Sequence, residues 1–384
     1  MHFRDLHVIV VGGGTGGCAA ALLLARAGAT VTVIERVAQP RAVGAGLALA
    51  ANGLAVLESL GLTPALASAR PSPAPRITDE RGATLLAAPP GTPVPVLVRR
   101  ATLQEVLLDA LASETRITTR FGAEVLHVAP DGTVELREGD RRTTLRAALV
   151  IGADGVHSGV RASGAFGARV RRTGLHYVRT LVGSGTATGV EAWTPHGIFG
   201  AFEVDGGSYC YMSCGVPVLR EALARRDLEA FRQAWGDAYA PARALLAGVP
   251  AFDDLLVNEV VHVHCARWHD GRVVLLGDAA HAMAPNLGQG ANSALVDAAV
   301  LLDELRRAAV LEDALAAYTR RRLPAVARVA AASARLGALG EVTHPLGRAA
   351  RAALLRVVAR LPLGGAATSV LQEPTDALLA IGRA

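Results

Sequence analysis

Apolar residues in this chain gather into short runs, and several of the runs end in a glycine-bearing turn. The first, His7-Val8-Ile9-Val10-Val11, is continuous and β-branched, which predicts a buried parallel strand. Gly12-Gly13-Gly14-Thr15-Gly16-Gly17 follows at once. Cys18–Ala27 is then alanine- and leucine-rich throughout, which predicts a helix stopped by Gly28. Thr30–Ile34 is a second β-branched run and ends at Glu35. Two later segments repeat the form of the first. Ala148–Ile151 leads into Gly152-Ala153-Asp154-Gly155, and Val273–Leu276 leads into Gly277-Asp278. Beyond the latter, Gly288-Gln289-Gly290-Ala291-Asn292 opens a long alanine-rich helix.

Elsewhere the pattern changes. Residues 174–216 carry alternating and aromatic stretches, notably Leu175–Arg179 and Ser208–Met212, which read as antiparallel strands. The proline-rich stretches 71–75 and 89–95 bracket an excursion of the chain. After Pro324 the sequence reads as helix to the end, clearest over Leu323–Leu336 and Leu346–Leu361. No internal repeat is evident. The uncharged stretch Leu6–Ala25 imitates a membrane span or leader, but five glycines interrupt its middle, so a soluble, unprocessed chain is expected.

Composition narrows the function. At 384 residues the chain suggests two domains, or three, with ample core and no need of disulfides. Its 39 basic residues are all arginine. The lack of lysine excludes a lysine Schiff base, a P-loop lysine and a kinase. The net charge of +5 is dispersed and aromatics are only 4%, unlike the concentrated basic and aromatic surface of a nucleic-acid binder. Cys18, Cys210, Cys214 and Cys265 form no CxxC pair and read as buried free thiols in a reducing cytoplasm. His262 and His264 share a strand face but lack a third ligand, so no metal site is expected.

The first turn has the form GxGxxG between a strand and a helix, with an acid at the end of the next strand. Gly12 allows the tight turn, Gly14 lets a pyrophosphate approach the backbone, and Gly17 permits close helix packing. The helix N-terminus offers free amides to phosphates, and Glu35 can accept from a ribose diol. This pattern does not separate NAD from FAD, although the acid disfavours the NADP phosphate here. Asp154 and Asp278, at the carboxyl ends of buried strands, are placed to bind a ligand polyol.

In order and spacing, GxGxxG, Asp154-Gly155 and Gly277-Asp278, with Arg99-Arg100-Ala101-Thr102-Leu103 at a helix start, resemble the class A flavoprotein monooxygenases. The archetype of that family is p-hydroxybenzoate hydroxylase, and the resemblance spans roughly residues 6 to 335. It implies an α/β fold: a Rossmann-like FAD-binding domain of the GR2 type, an inserted antiparallel β-sheet substrate domain, and C-terminal helices. The expected division is 1–75, 97–172 and 266–330 for FAD, 76–96 and 173–265 for substrate, and 331–384 for the helical end.

The same resemblance implies roles for residues of this chain. Gly12, Gly14 and Gly17 meet the FAD pyrophosphate, and Glu35 the adenosine ribose, with Arg36 beside it. Arg100 reaches the phosphate or ribityl region, and Val125 offers main-chain contacts to the adenine. Asp278 holds the ribityl chain and pyrophosphate. Gly288, Gly290, Ala291 and Asn292 present amides to the isoalloxazine. Asp154, Gly155 and Arg161 belong to the motif tied to both FAD and NAD(P)H.

The implied reaction uses NAD(P)H and O2 to insert one oxygen atom into an aromatic or polycyclic small molecule through a flavin C4a-(hydro)peroxide. Pro285 lies where the family places a proline beside the reactive edge, and His281 is a candidate for handling protons, against a structural histidine. Arg179, His196, Phe199, Tyr209 and Tyr211 are candidates for lining the substrate cavity, against ordinary sheet packing. Baeyer–Villiger oxidation, dehydrogenation or reduction on the same fold, and a flavin sensor or carrier without turnover, stay open. Halogenation does not fit, because its essential lysine and its WxWxIP signature are absent. A bacterial source, no nucleic-acid or membrane partner, and a monomer or homodimer complete the expectations.

Overall fold

The computed structural model describes residues 2–39, 46–358 and 372–383. It assembles the β-branched runs into one six-stranded sheet. In spatial order its strands are His269–Asp270, Val273–Leu275, Leu149–Gly152, His7–Val11, Thr30–Glu35 and Ile117–Phe121. All neighbours are parallel except the first pair. Val8, Ile9 and Val10 are fully buried, as expected for a parallel sheet covered on both faces. The Thr15–Arg26 helix is buried at every residue from Gly16 to Ala25, because it is packed between this sheet and the Gly290–Arg307 helix. A Cβ on Gly16 would stand 2.9 Å from the Ala294 Cβ. A helix that is apolar all round is one covered all round.

A second sheet has seven strands: Leu256–Cys265, Ala168–Val182, Gly207–Cys214, Gly197–Val204, Val190–Thr194, Arg76–Asp79 and Thr84–Ala87. Its pairings are antiparallel apart from Val190–Thr194 with Arg76–Asp79. Because side chains alternate along a strand, the two faces carry different chemistry. One face, with Val178, Ala192, Phe199, Ala201, Cys210 and Met212, forms an apolar core with the helices Pro217–Arg225, Leu228–Ala238 and Ala240–Ala247. The other carries Tyr177, Arg179, Glu191, Trp193, Tyr209 and Tyr211. Smaller three-stranded sheets comprise Gly46–Leu49, Val96–Arg99 and Arg70–Pro71, and Ala123–Val128, Thr133–Glu138 and Arg141–Arg146.

This is the expected α/β architecture, with a Rossmann-like sheet, an inserted antiparallel layer and C-terminal helices. Some expected edges fall differently. The boundary at 172/173 lies inside the continuous strand Ala168–Val182, and the one at 330/331 lies inside the helix Leu311–Gly340. That helix also begins well before Pro324 and runs through it. The proline removes one intrahelical donor, yet Arg322, two residues before it, is fully buried and bonded to Asp297. Of the run Leu346–Leu361, residues 346–358 fall in the helix Pro345–Val358, and residues 359–361 lie outside the described residues. Among the described residues no helix is long and apolar enough to cross a membrane.

Candidate functional site

The glycine turn is built by close approach. Gly12 has φ +109°, and a Cβ there would stand 2.4 Å from the Ala153 carbonyl oxygen; a Cβ on Gly17 would stand 2.0 Å from that of Gly12. Gly14 faces open space, with nothing within 4 Å of where its Cβ would be. The first intrahelical bond runs from the Cys18 amide to the Gly14 carbonyl at 2.9 Å, leaving the amides of Thr15, Gly16 and Gly17 ahead of it. Glu35 lies across the turn, accepting from the Gly13 amide at 2.9 Å and from the Val37 amide at 2.9 Å. Arg36 is exposed beside it. Arg100 is the exposed first residue of the helix Arg100–Ser113. One turn on, Gln104 donates to the Gly13 carbonyl at 2.7 Å, a contact the sequence reading missed although the i, i+4 spacing from Arg100 places both on one face. Val125 lies in the edge strand of the Ala123–Arg146 sheet, opposite Leu136.

The Asp154 and Asp278 loops adjoin. Asp154 Oδ2 accepts from the Val160 amide at 3.0 Å, while its buried Oδ1 has no partner. Gly155 turns at φ +79°. The buried Arg161 donates to the carbonyls of Val156 and Ala279, both at 2.8 Å. It therefore ties the two loops together from behind. Asp278 is exposed at the start of the short helix Asp278–His281, with its Oδ1 3.9 Å from where a Cβ on Gly290 would be.

The Gly290–Arg307 helix makes its first internal bond from the Ser293 amide to the Gln289 carbonyl at 2.7 Å. The amides of Gly290, Ala291 and Asn292 stand ahead of it, at the positive end of the helix dipole. Asn292 is fully buried and stitches this turn to a neighbouring strand. It accepts from the Ala50 amide at 3.0 Å and donates to the carbonyls of Ala48 and Gly288 at 2.9 and 2.8 Å. The Pro285 carbonyl accepts from the Gly288 amide at 2.8 Å, and Gly288 turns at φ +62°.

His281 turns inward. It is buried against Trp268, ring centroids 5.0 Å apart, and its Nε2 lies 2.6 Å from Asp297 Oδ2. Asp297 also accepts from the Gly277 amide at 2.9 Å and from Arg322 Nε at 2.7 Å. Burial alone raises a carboxyl pKa, but His281 and Arg322 outweigh it and bring Asp297 down to about 2. His281 thus joins the Asp297–Arg322 ion pair beneath the Gly277-Asp278 loop, with its buried Nδ1 unpartnered among the described residues, an arrangement that fits the structural reading.

Facing these loops is the polar side of the seven-stranded sheet. Tyr209 packs directly on the Gly46 backbone, where a Cβ would stand 2.4 Å from its ring, and Tyr211 lies across Gly200 in the same way at 2.2 Å. Phe202 stacks on Tyr211 at 6.1 Å and 7°. The half-buried Arg179 donates to Asn258 at 3.3 Å and bonds the Tyr209 hydroxyl, whose pKa burial nevertheless raises. Asn286, next to Pro285, donates to the Tyr177 hydroxyl at 2.7 Å and joins the wall to the loop. The Tyr211 hydroxyl donates to Glu191 Oε2 and Trp193 Nε1 to Oε1, both at 2.7 Å. Burial pushes the Glu191 carboxyl up, against the pull of these two neutral donors.

Two expected lining residues lie on the opposite face. Phe199 packs against Trp235 and Tyr239 at 5.2 and 5.4 Å, and His196 bonds the Ala234 carbonyl at 3.1 Å beside Trp235. Phe199 is out of phase with Tyr209 and Tyr211 once the register Phe199↔Met212 is known. Register is set by pairing, which no single strand's sequence displays. Glu191, Tyr177, Asn286 and Gln104 were missed for the same reason: each is an ordinary polar residue until folding brings its partner to it.

The donor set suits a flavin dinucleotide. Open space in front of Gly14, two helix starts with leading amides, and an unpaired Asp154 oxygen together form a cradle for phosphates, a polyol and an electron-rich ring. Comparison with known proteins agrees. A family model described as "FAD binding domain" matches residues 5–333. The chain is 30% identical over 371 residues to the aurachin C monooxygenase/isomerase of Stigmatella aurantiaca, covering 92% of this chain and 94% of that one. It is 31% identical over 364 residues to a 2-heptyl-3-hydroxy-4(1H)-quinolone synthase of Mycobacteroides abscessus, covering 88% and 92%. The crystal structure of Klebsiella pneumoniae HpxO complexed with FAD and uric acid has the same fold, with TM-score 0.81 at 23% identity over 97% and 99% of the two chains.

Proposed function

Since the chain belongs to the class A FAD-dependent aromatic hydroxylases, and is therefore a monooxygenase consuming NAD(P)H and O2, we propose that its substrate is a planar aromatic or heteroaromatic ring bearing an acidic oxygen. The observation that carries this is the wall formed by Tyr209, Tyr211 and Phe202, flat where Phe202 and Tyr211 stack and edged by the Arg179 guanidinium. A flat ring gains most by stacking there, and an oxyanion gains from Arg179.

FAD supplies the redox and oxygen chemistry; the protein holds, orients and excludes water. In this reading Gly12, Gly14 and Gly17 take the pyrophosphate, Glu35 and Arg36 the ribose end, and Val125 the adenine. Arg100 and Asp278 take the phosphate and ribityl region, and Asp154 with Gly155 the flank shared with NAD(P)H. Arg161 joins the two loops through its carbonyl contacts. The amides of Gly288, Gly290, Ala291 and Asn292 stabilise negative charge on the reduced ring. Pro285, with its carbonyl bonded to Gly288, shapes the reactive edge. A nucleotide half (1–75, 97–172, 266–330), a substrate layer (76–96, 173–265) and a helical end (331–384) belong to the same reading, as does a monomer or homodimer. Four buried free thiols support a reducing cytoplasm.

The test is anaerobic flavin bleaching by NADPH and NADH with a panel of ring compounds. Ring acids and phenols are expected to accelerate bleaching, and Arg179→Met to abolish their advantage over neutral analogues. Equal acceleration by acidic and neutral rings would remove the oxyanion from the proposal.

A further inference from the structure

The Gly290–Arg307 helix is gripped from outside by a segment with no part in either sheet. Gln372 has φ +70°, a left-handed backbone that a non-glycine residue adopts only when its surroundings impose it. Its side chain shows what imposes it. The amide oxygen accepts from Arg322 Nη2 at 2.6 Å, and the amide nitrogen donates to Ser293 Oγ at 2.8 Å and Gln289 Oε1 at 3.3 Å. Gln289 is the N-cap of that helix, and Ser293 makes its first internal bond. One side chain therefore holds both ends of the turn whose leading amides face the site.

The grip continues in two directions. Through Arg322 it reaches Asp297, and through Asp297 the Gly277 amide, at 2.7 and 2.9 Å. Through Gln289 it reaches Asn52 at 3.2 Å. The next residue, Glu373, pairs with Arg321 at 2.8 and 2.9 Å, so consecutive residues hold consecutive arginines of the Leu311–Gly340 helix. The strap then continues as the helix Thr375–Arg383. There Arg306 donates to the Ile381 carbonyl, and a Cβ on Gly382 would stand 2.2 Å from Ser59 Oγ.

We propose that Gln372 is a positioning residue for the flavin: the strap 372–383 fixes the first turn of the Gly290–Arg307 helix against the Gly277-Asp278 loop, and so sets flavin affinity and potential without touching the cofactor. The proposal rests on the FAD reading given above. Both groups that Gln372 connects are expected to meet the same ligand, one by amides and one by a carboxylate. Their mutual spacing is what the ligand must match, and Gln372 is the side chain that touches the helix turn and the arginine behind the loop at once. Loss of its amide donor lets that turn shift. The leading amides then stabilise the reduced ring less well, and the midpoint potential falls.

The test uses the full chain with two variants. Gln372→Gly removes the side chain while relieving the left-handed backbone. Gln372→Glu keeps the size and the acceptor for Arg322 but replaces the donor to Ser293 and Gln289. Flavin affinity is measured by reconstituting apoprotein with FAD, and the midpoint potential by anaerobic titration against a reference dye. Both variants are expected to bind FAD about tenfold more weakly, the scale of one well-placed hydrogen bond, with a lower potential and a shifted visible band. Affinity within about twofold of wild type and an unchanged potential in Gln372→Glu would overturn the proposal, even if thermal stability falls. Should Gln372→Gly not fold, Gln372→Glu decides alone. A wild-type chain that takes up no FAD would overturn the cofactor reading itself, a separate result.

Discussion

Two carboxylates inside this protein are moved in opposite directions. Asp297, beneath the Gly277-Asp278 loop, is fully buried and lies well below the usual carboxylate range, at about 2. Glu191, in the aromatic wall, is raised by its burial. Both pay for desolvation, and both accept good hydrogen bonds. The difference is in the partners: Arg322 and His281 flank Asp297, whereas among the described residues the donors to Glu191 are a phenol and an indole. Neutral donors satisfy lone pairs without supplying a countercharge. The first acid is held ionised as part of a clamp, and the second is pushed toward its protonated form.

The largest break in this comparison is on the clamp side. Arg322→Met strands the Asp297 charge in the core with His281 as its remaining flank, and is expected to cost about 3–5 kcal/mol in urea unfolding. Adding Asp297→Leu removes the stranded charge and should restore much of that loss. A single-variant cost below about 1 kcal/mol would make the cluster no more than a surface-strength pair. The clamp also has a pH signature. A depressed folded pKa contributes stability that is present above the unfolded value of 3.8 and is lost as pH falls toward about 2.

The contrast also explains what the sequence disclosed. Gly12, Gly17 and Asp154 were legible because their work is local: a turn, a close contact, a strand end. The parallel sheet followed from uninterrupted β-branched runs such as Val8–Val11. Glu191 and Asp297 were not legible, because their chemistry depends on partners distant in sequence, Tyr211 for one and Arg322 for the other. The two readings of His281 could not be separated for the same reason, since proximity to Asp278 in sequence concealed that its ring turns inward to Asp297 and Trp268. Phe199 was misjudged through strand phase, which only the register with Met212 reveals.

Glu191→Gln sharpens the wall side with a smaller effect. A raised folded pKa means the folded chain keeps its proton where the unfolded chain has lost it. The associated stability is full below the unfolded value of 4.5 and erodes as pH rises through the folded pKa. Glutamine mimics the protonated acid: its oxygen accepts from Trp193 and its amide donates to the Tyr211 oxygen. The variant should therefore lose a downward slope, whose ceiling for one proton is about 1.4 kcal/mol per pH unit, in unfolding measured as pH rises above the unfolded value of 4.5. Superimposable profiles would place Glu191 alongside Asp297 as a carboxylate held in one charge state.

Tyr211→Phe is the finest cut, because it removes one hydroxyl and leaves the ring. Phe202 can still stack at the same spacing, and Gly200 still admits the ring, so the flat surface survives. What is lost is the donor to Glu191 Oε2, worth about 1 kcal/mol in stability. If the pair only shapes the wall, KM rises modestly while kcat and its pH dependence are retained. If the pair passes a proton to or from bound substrate, kcat falls and its pH profile moves, because Glu191 keeps Trp193 but has no path through a phenol. Glu191→Gln should then shift the same limb of the profile. The first outcome is expected, since burial and the neighbouring Glu191 push the Tyr211 phenol well above its usual range, so that it keeps its proton. A lower kcat with a displaced pH profile in both variants would instead make Tyr211 and Glu191 a proton path to the substrate.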